Sequence, residues 1–172
     1  MILYLPGFGK HNKDELNSIV NALRLAGHDV IAHEWSHWSD EFRKGSAMDD
    51  LELIKSEIAE NQIDIVIAKS IGTFVASNLI WTKTIDPSKI IFLGVPLNDL
   101  DMEDKELIKL VIQRIKEKLT LIHNTNDPHG SLEDLHTFLG NTEPQIITKE
   151  ANDHGYDYTE EILLIIRNTH KL

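Results

Sequence analysis

Six short apolar runs punctuate this chain, each followed by a longer stretch with helical periodicity, and that alternation leaves few folds open. The runs are MILYL (1–5), HDVIAHEW (28–35), IDIVIAK (63–69), SKIIFLGVPL (88–97), KLTLIHNTN (118–126) and EPQIITKEA (143–151). Each is short, rich in branched side chains and bounded by turn residues, the signature of a buried strand. The stretches between them, 14–27, 48–62, 71–83, 104–117, 131–140 and 158–171, read as helices. Leu16, Ile19, Val20 and Leu23 share one helix face, and so do Leu51, Ile54 and Ile58. Gly27 and Gly140 stand where helices commonly close. Strands alternating with helices imply right-handed crossovers and an α/β fold, a three-layer sandwich with a six-stranded parallel sheet covered on both faces. Near-continuous Ile, Val and Leu along the strands is what burial on two sides requires. In such sheets ligands gather beyond the carboxyl ends of the strands, so the loops that follow strands are the places to look for chemistry.

Length and charge narrow the rest. At 172 residues the chain fits one domain, 1–172, large enough to bury about two thirds of its unfolded surface. It has no cysteine, which removes disulfides, thiolate metal sites and a cysteine nucleophile, and fits a reducing, cytoplasmic setting. The formal charge of −11 repels phosphate backbones and anionic lipid, so neither nucleic acid nor membrane is the expected partner. The amino terminus, MILYLPGFGKHNKDEL, lacks the basic region and long apolar core of a signal peptide. No run reaches the ~20 apolar residues of a spanning helix. Oligomeric state is not legible.

One seam between strand and helix stands out: Ala68-Lys69-Ser70-Ile71-Gly72. A sharp strand-to-helix turn lifts one side chain clear of the sheet and needs small neighbours two residues away on either side. This is the form of the nucleophile elbow G-x-S-x-G, with alanine in the first glycine position. Serine is also a common helix N-cap, so the string alone does not separate a nucleophile from a cap. A serine needs a base, and the base needs an orienting acid. The elbow architecture places them in chain order, acid then histidine, on loops after later strands. The fifth run ends in HNTNDPHG, with Asp127, and the sixth in KEANDHGYDY, with His154. Asp99 and Asp101, in NDLDMED after the fourth run, are rival acids.

With AKSIG as elbow, NDP as acid and DHG as base, the sequence resembles the α/β-hydrolase superfamily. Within it the chain looks most like the small single-domain serine hydrolases that include retinoblastoma-binding protein nine, which share the opening strand and Pro-Gly-x-Gly loop, here Pro6-Gly7-Phe8-Gly9. The resemblance spans essentially the whole chain. It implies strand order 2-1-3-4-5-6, a minimal fold without a substantial lid, and hydrolysis of small esters or related acyl compounds without a cofactor. It implies that Ser70 attacks the acyl carbonyl, that His154 takes and returns the proton, and that Asp127 holds the imidazole. The backbone N–H groups of Ile71 and Phe8 then form the oxyanion hole, with Gly7 and Gly9 letting the loop approach. A hydrolase scaffold with an idle triad, kept as a binding module, is the alternative.

The loop after the second run contains His33-Glu34-Trp35-Ser36-His37, the H-E-x-x-H pattern of zinc proteases. That chemistry needs a helix, whereas DVIAHEW reads as a strand entering a loop, so no metal is expected there. Trp35 and Trp38 are instead expected at the pocket mouth or packed over the sheet edge. Lys69 is expected near the pocket, in solvent. His11 and His129 lie on the same rim.

Overall fold

The computed structural model describes residues 1–39 and 45–169. Six strands form one sheet: β1 (Ile2–Leu5), β2 (Val30–Ala32), β3 (Ile65–Lys69), β4 (Lys89–Leu93), β5 (Leu119–Asn124) and β6 (Gln145–Lys149). Every pairing is parallel and the order is β2-β1-β3-β4-β5-β6, as the resemblance implies. Six helices connect or follow the strands: α1 (Asn12–Leu25), α2 (Leu51–Ile58), α3 (Ile71–Trp81), α4 (Met102–Ile115), α5 (Leu132–Leu139) and α6 (Thr159–Thr169). The order steps one way from β1 to β2 and the other way from β3 onward. Right-handed crossovers therefore put α1 and α3 on opposite faces. α1 packs against α6, and α3 packs against α4.

Burial follows position in the sheet. β1, β3 and β5 are buried along their whole length, whereas the edge strands β2 and β6 are half-open. Edge position also shortens β2 to three residues, fewer than the run 28–35 predicts. The His33 N–H still donates to Tyr4 O of β1 at 3.1 Å, and Glu34 and Trp35 then lead into a 3₁₀ turn, Ser36–Trp38. The helix expected over 48–62 divides into a 3₁₀ turn, Ala47–Asp50, capped by Ser46 and Asp49, and the shorter α2. Part of the loop 36–47 and the last residues of the helix over 158–171 lie outside the described residues.

Helix signals in the sequence do what their chemistry dictates. Gly27, at φ +89°, follows the end of α1, and Gly140, at φ +58°, ends α5. Asp101 caps α4 by accepting the Asp104 N–H at 2.9 Å, and Ser131 with Asp134 makes a capping box at α5. Helix α3 is the most apolar of the helices and is buried almost throughout, because it lies against the centre of the sheet. Among the described residues no helix is long and apolar enough to cross a membrane.

Candidate active site

Ser70 sits between the last residue of β3 and the first of α3, at φ 52° and ψ −126°. A side chain with a Cβ rarely occupies that region, and holding it there costs on the order of 1–3 kcal/mol. Ser70 and Lys83 are the two such residues other than glycine among the described residues. The turn is locked from both sides. The Ser70 N–H donates to Leu93 O at 2.9 Å, and its carbonyl accepts from the Thr73 N–H and hydroxyl at 2.9 and 2.7 Å. A Cβ on Gly72 would collide with the Leu5 carbonyl, so only glycine lets α3 start this close to β1. Ala68, fully buried in β3, pairs with Leu5 and Phe92 without disturbing either ladder. Serine here is no helix cap, for its side chain makes no capping bond.

The other two candidates come from loops after β5 and β6. His154 Nδ1 lies 2.9 and 2.7 Å from the two Asp127 oxygens. An ionised carboxylate only accepts, so Nδ1 carries the proton of this bond. Asp127 also accepts the Tyr156 hydroxyl at 2.6 Å and the His129 N–H at 2.8 Å. Burial pushes the Asp127 carboxyl up, but the hydrogen bonds from His154, Tyr156 and His129 outweigh it and hold the group below its ordinary value. The Tyr156 hydroxyl moves the opposite way: burial and the neighbouring carboxylate raise it far above the usual phenol range, so it stays a donor. His154 Nε2, the nitrogen a nucleophile would use, is buried without a hydrogen-bond partner. It shares a cleft with Ser70, but no hydrogen bond joins the two. Catalytic hydrogen bonds are often long in unliganded proteins and close on substrate.

That cleft has a volume of about 280 Å³, and Ser70, Ile71, Phe8, Asn12, His129 and His154 are among its lining residues. Gly9, His11, Pro96 and Asp99 complete the lining. The first turn of a helix leaves its N–H groups without intrahelical acceptors, so the Ile71 N–H is available there.

Several expectations need correcting. Of the two expectations for Trp35 and Trp38, the pocket mouth fails and packing holds: neither lines the cleft, and both are buried beneath the first loop, where their indole N–H groups donate to backbone carbonyls. Trp35 reaches Pro6 and Gly7 at 3.3 and 3.1 Å, and Trp38 reaches Phe8 at 2.8 Å. Gly7 stays behind the wall, with Gly9 at the surface of the cleft. Lys69 is not in solvent. It is 2% exposed and bonds Glu15 and Asn12 at 2.7 Å each. Alternation along β3 turns Lys69 inward, and α1 supplies a buried counter-charge that sequence spacing does not reveal. Of the rival acids, Asp101 is a helix cap, and Asp99 holds His129 Nδ1 at 2.5 Å rather than His154. The H-E-x-x-H pattern spans a strand end and a 3₁₀ turn. The His33 ring nitrogens sit on Glu57 and Asp50, and His37 packs on the Phe8 ring.

Tyr156 and Asn12 are the residues the sequence did not single out. A tyrosine two positions after the candidate histidine was the available signal for the first, but no spacing rule connects it to an acid 29 positions away. Asn12 falls before the helix read over 14–27, yet it is the first residue of α1, and its side chain donates back to Gly9 O at 2.8 Å.

Comparison with solved structures puts this geometry in context. An esterase domain from Rhodothermus marinus superposes with a TM-score of 0.68 at 13% identity, over 95% of this chain and 82% of that one. This is the α/β-hydrolase fold. The α/β-hydrolase domain-containing protein 10 from mouse gives a TM-score of 0.67 at 12% identity, covering 98% and 87% of the two chains. An uncharacterized protein from Bacillus cereus ATCC 10987 gives 0.72 at 20% identity, covering 99% of this chain and 60% of that one. No family model and no curated protein matches the sequence. In this fold the strand order puts the β3–α3 turn beside the switch point, which is where Ser70 stands.

Proposed function

We propose that this chain is a serine hydrolase that cleaves small esters or related acyl compounds through an acyl-enzyme on Ser70. The observation that carries the reading is the backbone of Ser70, held at positive φ on a strand-to-helix turn and opening into the cleft that His154 lines. Strain of that kind persists only where the surroundings over-determine it. The structural neighbours, described as esterases and lipolytic enzymes, support the same reaction class. In the mechanism, Ser70 Oγ attacks the carbonyl carbon while His154 Nε2 takes its proton. Asp127 keeps the Nδ1 proton in place and stabilises the imidazolium. The N–H groups of Ile71 and Phe8 receive the developing oxyanion, a contribution of ~3–4 kcal/mol per donor in known cases. Collapse expels the alcohol with the proton from His154, and water then repeats the sequence to release the acid. The cleft volume of about 280 Å³ suits a short acyl group. A chain without cysteine fits a reducing, cytoplasmic setting.

A fluorophosphonate probe is expected to label the wild type on Ser70, and Ser70→Ala is expected to abolish both labelling and turnover of short p-nitrophenyl esters. The free His154 Nε2 favours the second reading, a hydrolase scaffold whose triad is idle and whose cleft binds without turnover. Absence of label and of turnover in the folded wild type would remove the hydrolase reading in favour of that one.

A further inference from the structure

Behind the cleft, and reaching its wall at Asn12, lies a buried polar cluster that the mechanism above does not use. Lys69, the residue before the candidate nucleophile, projects from the end of β3 onto α1. Its ammonium donates to Glu15 Oε2 and Asn12 Oδ1, each at 2.7 Å. The lysine side chain is 3% exposed and the Glu15 side chain 14%, so this is an ion pair shielded from water. Each of its members reaches a different catalytic segment. Asn12 Nδ2 donates to Gly9 O at 2.8 Å, within the loop that offers the Phe8 N–H. Glu15 Oε2 accepts the Tyr156 N–H at 3.1 Å, two residues beyond His154, and the hydroxyl of that tyrosine donates to Asp127. Lys69 itself is bonded covalently to Ser70.

We propose that Lys69, Glu15 and Asn12 form a positioning keystone that fixes the elbow, the first loop and the histidine loop relative to one another. The proposal rests on the hydrolase reading for its catalytic consequence, but its geometric content is independent of turnover. The chemistry explains why ions are used. One ammonium has three donors and one carboxylate about four acceptor sites, so a single pair can hold several backbone segments that apolar packing would leave free to slide. A buried pair also discriminates sharply between its correct arrangement and any other, because displacing either charge leaves the other unpartnered in a dry site. The pair is separable from simple stability. Replacing both ions by apolar residues of similar volume is often neutral for folding, whereas removing one is not.

The test compares the wild type with the double variant Lys69→Met/Glu15→Met, and with Asn12→Ala, which leaves both charges in place. Two readouts are used. One is kcat and KM on a short p-nitrophenyl ester. The other is the NMR resonance of the His154 Nδ1 proton in its bond to Asp127, which requires no turnover. The double variant is expected to melt close to the wild type, to lose ~10–100-fold in kcat with KM within about twofold, and to show a shifted or broadened His154 proton. Asn12→Ala is expected to lower kcat while leaving the His154 proton in place, because the histidine loop remains held by Glu15. Rescue of folding together with wild-type kcat and an unmoved His154 proton in the double variant overturns the proposal. If the double variant does not fold, Asn12→Ala decides alone, and an unmoved Phe8 amide resonance together with wild-type kcat overturns it. A wild type inert toward esters and probe removes the hydrolase reading only, since the His154 and Phe8 resonances still report the keystone.

Discussion

Asp127 shows how one side chain's role is set by what surrounds it rather than by its own chemistry. The chain offers several carboxylates near the same rim, yet this one is buried and receives three donors. Tyr156 supplies one of them from a fully buried position, seated over Gly94, where a Cβ would strike the ring. Tyr156→Phe keeps that packing, removes a hydrogen bond to a charged acceptor, worth ~1.5–3 kcal/mol, and leaves the buried Asn124 N–H without the hydroxyl it donates to at 3.1 Å. The expected result is a thermal midpoint several degrees lower and a reduced kcat, measured by calorimetry and steady-state kinetics. An unchanged kcat would mean that His154 and the His129 N–H suffice to fix the carboxylate. At this scale the sequence was legible where a motif exists and opaque where none does. Ser70, Asp127 and His154 lie in recognisable strings, and the structure brings them to one rim. The burial of Lys69 and the choice between pocket mouth and packing for Trp35 and Trp38 are not legible, because their partners, Glu15 and the carbonyls of Pro6, Gly7 and Phe8, come from segments 28 to 54 positions distant.

Among the elements, α3 and its junction with β3 do most to build the site. Alanine is a better helix former than glycine by ~1 kcal/mol, so Gly72→Ala would stabilise an isolated α3. In the protein the added methyl meets the Leu5 carbonyl of β1, a backbone atom that cannot step aside. Gly72→Ala is therefore expected to destabilise by ~1–3 kcal/mol, the range seen for overpacking, with loss of probe labelling at Ser70. Urea denaturation checks the first and a gel the second; a variant as stable as the wild type would show that α3 can retreat from the sheet. The strand pattern was readable because the runs are apolar and bounded by turn residues. The limits of β2 and α2 were not, since edge strands make fewer pairings and the 3₁₀ turn at Ala47–Asp50 competes with the helix start.

For the whole molecule, acid sensitivity begins with a buried histidine. His123 on β5 is fully buried and donates through Nε2 to Gly130 O at 2.8 Å. Burial lowers its proton affinity below the ordinary value, and the Gly130 carbonyl recovers only part of that loss. In the unfolded chain the imidazole regains a pKa near ~6.5. Its contribution to stability is then complete above that pH and is lost as pH falls toward the depressed folded value, because the unfolded state binds the proton first. Asp127, also depressed, acts in the same direction but only as pH drops below its unfolded value of ~3.9. Melting temperature is expected to decline from about pH 6.5 downward, well above the carboxylate range, and His123→Gln is expected to flatten that decline. A wild-type profile level between pH 5 and 8 would assign the histidine no part in it.

The raised turn at Ser70 has a consequence for the protein as a working object. Its conformation is one the chain would abandon if left alone, and it survives only while β1, β4 and α3 all press on it. The hydroxyl is thus presented by a finished molecule and by nothing less. A fragment, a half-assembled chain on its way to the native state or a locally loosened variant lets the bend relax and withdraws the group from the cleft, so the placement of that hydroxyl becomes a gauge of whether assembly is complete.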